Sequence, residues 1–183
     1  MTMRFAVVMR KQAVDNPWIT HRWTPVEVFS DMGQFDESGV PVNTPNAIGR
    51  CIERDTEGET WLVRGFELGL FPDESEGYFL NATAPEPCWF VMWRLEEDYQ
   101  RFLEPSSVAE CGDEVNLAIP HRICLSYNEA ARLIDGGESV DTVVLDKTHW
   151  QWLHEYVEAH YRPEPKKRQR PASFKGAQRT ADE

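Results

Sequence analysis

The segment CWFVMWRL, residues 88–95, is apolar at successive positions and not only at alternate ones. A strand of this kind needs cover on both faces, so it belongs at the centre of a layered structure. Other runs also read as strands. RFAVVMR (residues 4–10) is a short apolar run. WLVRGFELGLF (61–71) sets Leu62, Phe66, Leu68 and Leu70 on one face, with Arg64 intruding. EGYFLNATA (76–84) alternates Tyr78, Leu80 and Ala82 against Phe79, Asn81 and Thr83. EVNLAIPHRICL (114–125) alternates Val115, Leu117 and Ile119 until Pro120, which is expected to break the ladder. No helical pattern separates these runs, which favours antiparallel pairing.

Helical patterns come late. SYNEAARLIDGG (126–137) offers Ser126 as N-cap, Glu129 to complete a capping box, and Gly136 and Gly137 as a stop. A short strand follows at 140–145. DKTHWQWLHEYVEAHY (146–161) places Trp150, Leu153, Val157 and Tyr161 on one stripe at helical spacing. The pattern predicts an α+β fold: a mostly antiparallel twisted sheet or partly open barrel, covered by two C-terminal helices. A length of 183 residues, 41% of them hydrophobic, suits one domain with a proper core. That domain is expected over residues 1–161. A basic disordered tail, with three prolines and almost no apolar residues, is expected over 162–183.

Charge divides along the same boundary. The chain carries a net −12, yet its last 22 residues hold seven Lys and Arg against three Asp and Glu. No apolar run is long enough to span a bilayer, and the opening residues lack the pattern of a secretory signal, so a cytoplasmic location is expected. Cys51, Cys88, Cys111 and Cys124 are widely spaced and read as free thiols. His149, His154 and His160 do not have the spacing of a chelating pair. The acidic stretches 53–59 and 73–76 lack the pattern of a calcium loop and read as solvated turns. No metal and no cofactor is expected.

Candidate binding residues come from three places. In NPWITHRWTPVEV (16–28), alternation puts Ile19, His21 and Trp23 on one face, which makes His21 a core histidine and turns Arg22 away from it. The phase slips at Pro25, suggesting a bulge or an edge. The dipeptide recurs as His121-Arg122, and if the two strands are neighbours, His21, Arg22, His121 and Arg122 converge on an anion. Trp152 sits at the margin of its helix's apolar stripe, where it suits core packing or a partner contact. The run Lys166, Lys167, Arg168 and Arg170 suits contact with an acidic protein surface. Nucleic acid is a weaker fit, because the acidic body repels a polyanion.

NPW with a nearby W-x-P-V, then ESEGYFLN, SYNEAARLIDGGESVDTVVLD and HWQWLHEYVEAHYRPEPKKRQR, together resemble an uncharacterised bacterial family. Its genes lie beside those for formate dehydrogenase and molybdoenzyme maturation, and some members are labelled molybdopterin-guanine dinucleotide biosynthesis proteins. The resemblance implies a non-enzymatic accessory protein that binds a protein partner during that maturation. It supplies no catalytic residues. The chain has no glycine-rich phosphate loop after its first strand, as a nucleotide fold requires. A small-molecule or anion-binding enzyme using the His-Arg strand faces is the alternative reading, with nucleic-acid binding through the tail behind it.

Overall fold

The computed structural model describes residues 2–33, 48–108 and 116–163. Lys166, Lys167, Arg168, Arg170, Cys111 and Val115 lie outside the described residues, as does nearly all of the expected tail. Two antiparallel sheets form the body. The first has the order β2-β1-β4-β3, from β1 (Thr2–Ala13), β2 (His21–Ser30), β3 (Ile48–Arg54) and β4 (Gly58–Gly69). The second has the order β6-β5-β7, from β5 (Cys88–Glu96), β6 (Leu117–Cys124) and β7 (Ser139–Val144). The fold is α+β as the sequence implies, but the strands split into two sheets and do not close into a barrel.

Both sheets contribute to one core. Phe5, Val7, Met9, Trp61 and Val63 come from the first sheet, and Trp89, Val91, Ile119 and Ile123 from the second. Strand β5 is central, and its two apolar faces have separate partners. Trp89 and Val91 enter the shared core, whereas Phe90 joins Cys124 beneath Ala130 and Leu133 of α3 (Tyr127–Asp135). Helix α3 begins as its sequence implies, with the Ser126 hydroxyl accepting the Glu129 N–H. It ends in a Schellman turn: Gly137, at φ +85°, donates to Ile134 O and Glu138 N–H to Leu133 O. Helix α4 (Lys147–His160) buries Leu153 and Val157 in the shared core.

Three expectations need correction. Residues 75–82 form a helix, α1 (Ser75–Ala82), and not a strand. Its buried stripe is Ser75, Tyr78, Asn81 and Ala82, a helical spacing of mixed polarity that an apolar count reads as alternation. In β4, Leu62 and Phe66 lie on opposite faces. Gly65, at φ +98°, is the extra residue of a bulge opposite Phe5 and Ala6, and the phase reverses there. Phe66, Leu68 and Leu70 therefore meet the shared core, while Leu62 joins Ala6 and Val8 on the outer face. Arg64 is no intruder: its Nε donates to the well-buried Asp31 carboxylate at 3.1 Å. In β6, Pro120 does not end the strand. It lies at a sheet edge, opposite Trp93, with His121 as the extra residue of a bulge.

The slip expected at Pro25 is present. Met9 pairs with Pro25 and Val8 with Glu27, leaving Val26 as the bulged residue of edge strand β2. A short 3-10 turn (Pro72–Glu74) precedes α1, and a further one (Tyr99–Phe102) precedes the short α2 (Pro105–Val108). Among the described residues no helix is long and apolar enough to cross a membrane.

The contact between α1 and the start of α3 is tight enough to test. A Cβ on Gly77 would fall 2.1 Å from Ser126 Oγ and 3.1 Å from Ser126 Cβ. Ser126 is fully buried and holds the first turn of α3. Gly77→Ala should cost about 2–3 kcal/mol of overpacking, against a helix-propensity gain of about 1 kcal/mol. Urea unfolding should show a net loss of stability at an unchanged denaturant slope. An equal or higher midpoint would mean that the two helices are not in contact here.

Candidate functional site

A groove of about 710 Å³ runs where β4 and β6 approach each other between the two sheets. It is lined by Thr2, residues 65–69 of β4, residues 121–123 of β6, and side chains from the 3-10 turn, α1 and α3. Its charged groups form a network. Glu74 accepts from Ser126 Oγ at 2.5 Å and from the Arg132 guanidinium. Arg122 Nη2 reaches Glu129 Oε1 at 2.6 Å. His121 Nε2 bonds Glu96 Oε1 at 2.7 Å, with its ring edge-on to Phe102. Burial opposes ionisation of Glu74, but the Ser126 hydroxyl and the Arg132 guanidinium outweigh it and hold the carboxyl below its ordinary value of 4.5. Both arginines are more than half exposed at the groove wall.

His121 and Arg122 thus stand in a groove, whereas His21 and Arg22 do not share it. Among the described residues strand β2 pairs with β1 alone and is not a neighbour of β6, so the four side chains do not come together. His21 is exposed at the start of β2, beside the Thr20 hydroxyl, and is not the core histidine expected. Trp23, two residues on, is buried. Trp152 is half-buried and tilts against Phe5 at 6.3 Å, on the shared core. Glu74 and Arg132 were not singled out in the sequence. Glu74 lies in the acidic stretch read as a solvated turn, where nothing signals its partner 58 residues on. The capping box at Ser126 marked Glu129 as a helix-start residue but not as the partner of Arg122.

Two other clusters hold chemistry-bearing side chains. Asp146 caps α4 by accepting the Thr148 and His149 N–H groups, and its other oxygen bonds His149 Nδ1. With Nδ1 protonated, His149 Nε2 accepts from Ser30 Oγ at 2.9 Å. The order Ser, His, Asp is that of a nucleophile relay, but the burial is reversed. Here His149 is buried between Phe5 and Trp89 while the acid is half in water, which suits an anchor of α4 to β2. The thiols are inert in a different way. Burial raises Cys88 and pushes Cys124 up to about 12, so neither is a ready nucleophile. Among the described residues no cluster of His, Cys, Asp and Glu is arranged to hold a metal ion.

At the far end of the first sheet the loop joining β1 to β2 is closed by Val14 N–H donating to Thr20 O. Trp18 N–H donates to Asn16 Oδ1 at 2.8 Å, and the Trp18 side chain stands 89% exposed beside a half-exposed Ile19. Ala13 N–H donates to Glu57 O, tying this tip to the β3–β4 turn.

The Glu74 network has a defined pH signature. A carboxyl whose folded pKa is depressed adds stability above its unfolded pKa and loses it as pH falls through the folded value. Glu74→Gln should therefore cost about 1 kcal/mol at neutral pH, discounted for the exposure of Arg132. The gap from the parent should narrow as pH falls below the ordinary carboxyl value of 4.5. Urea titrations at the two pH values measure it, and a gap independent of pH would place the cost in packing instead.

No curated protein and no solved structure matches the chain. One family model matches residues 4–170, nearly the whole of the described molecule, and the chain accordingly belongs to the family of proteins of unknown function DUF3305.

Proposed function

We propose that this chain is an accessory protein that acts by binding a protein partner, without catalysis of its own, during maturation of formate dehydrogenase or another molybdoenzyme. The maturation context comes from the gene company that the sequence resemblance implies. The mode of action rests on one observation, the Trp18 tip. A tryptophan left almost wholly in water forfeits most of its burial energy, of order 2–3 kcal/mol, until another surface covers it. The tip is tied by hydrogen bonds at Asn16, Val14 and Ala13, so little ordering cost remains when a partner docks. Exposed aromatic anchors on an ordered loop are the usual hot spots of protein interfaces.

Chain expressed at native level in its host and recovered by an affinity tag should bring down a molybdoenzyme subunit or its maturation factor. Trp18→Ala should reduce that recovery roughly tenfold or more, as loss of a hot spot does. Its melting temperature should not move, since the Trp18 side chain is 89% exposed. Unchanged recovery would remove the tip from the reading, and recovery of proteins unrelated to molybdoenzymes would remove the maturation role.

A further inference from the structure

The end of the first sheet that carries Trp18 is built from two hairpins. The order β2-β1-β4-β3 sets the β1–β2 loop beside the β3–β4 turn, and the chain is described without interruption through both. Ala13 N–H donates to Glu57 O at 3.2 Å across the gap. A recess of about 230 Å³ has Ala13 and His21 on one side and residues 54–59 on the other. The second hairpin is as well tied as the first. Asp55 Oδ1 accepts the N–H groups of Glu57 and Gly58, both at 2.8 Å, and its Oδ2 takes the Arg10 guanidinium at 2.7 Å. Trp18 and Ile19 therefore stand on an ordered surface, next to the acidic stretch 53–59.

The charges that this surface shows to solvent are not balanced. Asp55 is matched by Arg10, and Glu59 by Arg54. Lys11 is 5% exposed and lies against the Trp23 ring. Asp15, Glu53 and Glu57 are exposed and form no ion pair among the described residues, and Arg22 is the one exposed cation here that is likewise unmatched. The chain as a whole carries −12, so an acidic surface is repelled from a distance as well as in contact. A side chain held out on a loop tip gains most from a pocket that closes around it, since a flat surface covers only one side. We propose that the Trp18 end of the first sheet docks into an apolar pocket of a protein partner whose rim is basic. Lys or Arg side chains of that rim meet Asp15, Glu53 and Glu57. Trp18 serves here as the anchor already proposed for it, so this surface depends on that reading and adds to it the partner's chemistry. Apolar cover of Trp18 and Ile19 supplies affinity, while the carboxylates speed encounter and turn away acidic competitors.

β-Cyclodextrins supply an apolar pocket with an interchangeable rim. Amino-substituted, neutral and carboxymethylated rings are titrated into the full chain, and the indole N–H resonance of Trp18, identified by its loss in Trp18→Ala, reports binding. The cationic ring should bind roughly tenfold more tightly than the neutral one, and the anionic ring more weakly than either. Added salt should narrow the differences. Glu53→Gln with Glu57→Gln should level the three rings, and Glu53→Lys with Glu57→Lys should reverse their order. Equal affinity of the parent chain for all three rings, each lost in Trp18→Ala, would leave the anchor standing and overturn the basic rim. Binding of the cationic ring that persists in Trp18→Ala would be diffuse charge attraction and would overturn it as well. In the host pull-down, the double lysine variant should lose the same proteins that Trp18→Ala loses, again roughly tenfold. Retention of those proteins by the lysine variant alone would overturn the basic partner and spare the anchor. Retention by both variants would remove the anchor and this proposal with it.

Discussion

The Asn81 side chain joins three elements of the molecule at one buried point. Its Nδ2 donates to Cys88 O at 2.8 Å and to Leu125 O at 2.9 Å, and its Oδ1 accepts the Cys88 N–H at 3.0 Å. One residue, 1% exposed, thereby joins α1 to the start of β5 and to the end of β6. Each bond taken alone is worth about 1 kcal/mol net. Their weight lies in the alternative, since the buried Leu125 carbonyl would be left unpaired in a low dielectric, with the half-buried Cys88 N–H and C=O beside it. With α1 held at this point, the rest of its surface is committed. Gly77 abuts Ser126, Tyr78 meets Tyr156 edge-on, and Phe79 stacks on Tyr161 at 4.6 Å. Trp150 Nε1 donates to Ala82 O at the end of the helix. Helices α3 and α4 are both positioned through α1, and so is Glu74, just ahead of it, at the groove wall.

This dependence accounts for what could be read from the sequence and what could not. Strand β5 was legible because its burial on both faces leaves an apolar residue at nearly every position. Helices α3 and α4 were legible because caps and stripe agree, and Ser126, Gly137 and Asp146 do what their types imply. Helix α1 was not, because the residues it buries include Ser75, Gly77 and Asn81, chosen for close approach and hydrogen bonding rather than for apolarity. Leu62 and Phe66 were assigned to one face because the Gly65 bulge leaves no trace in composition. A glycine between two apolar runs of a strand is the signal that was available.

The groove was half legible for a related reason. His121 and Arg122 stand out as a pair in the sequence, but their partners arrive from elsewhere: Glu96 from β5 and Glu129 from α3. Arg132 and Glu74 lie 58 residues apart and meet only because α1 and α3 pack together. Recurrence of the His-Arg dipeptide pointed instead to His21 and Arg22, which the sheet order puts at the far edge of the other sheet. Tertiary electrostatics of this kind depend on topology, and side-chain type alone does not encode topology.

The same packing sorts the polar groups by how far they are already engaged. Glu74 is held by Ser126 and Arg132, His121 by Glu96, and His149 by both Asp146 and Ser30. A group that must exchange a proton with a substrate needs that position open, and both oxygens of Glu74, both ring nitrogens of His149 and the Nε2 of His121 are turned to protein partners. What faces outward is different in kind. Trp18 at one end of the first sheet and Phe71 beside the groove at the other offer apolar area. Exposed aromatic area of that kind is what a second polypeptide covers on docking. Because β1 runs unbroken between them, with Phe5, Val7 and Met9 fully buried along its length, the two surfaces keep a fixed spacing. A partner that engaged both would gain through effective concentration, provided its own two elements matched that spacing.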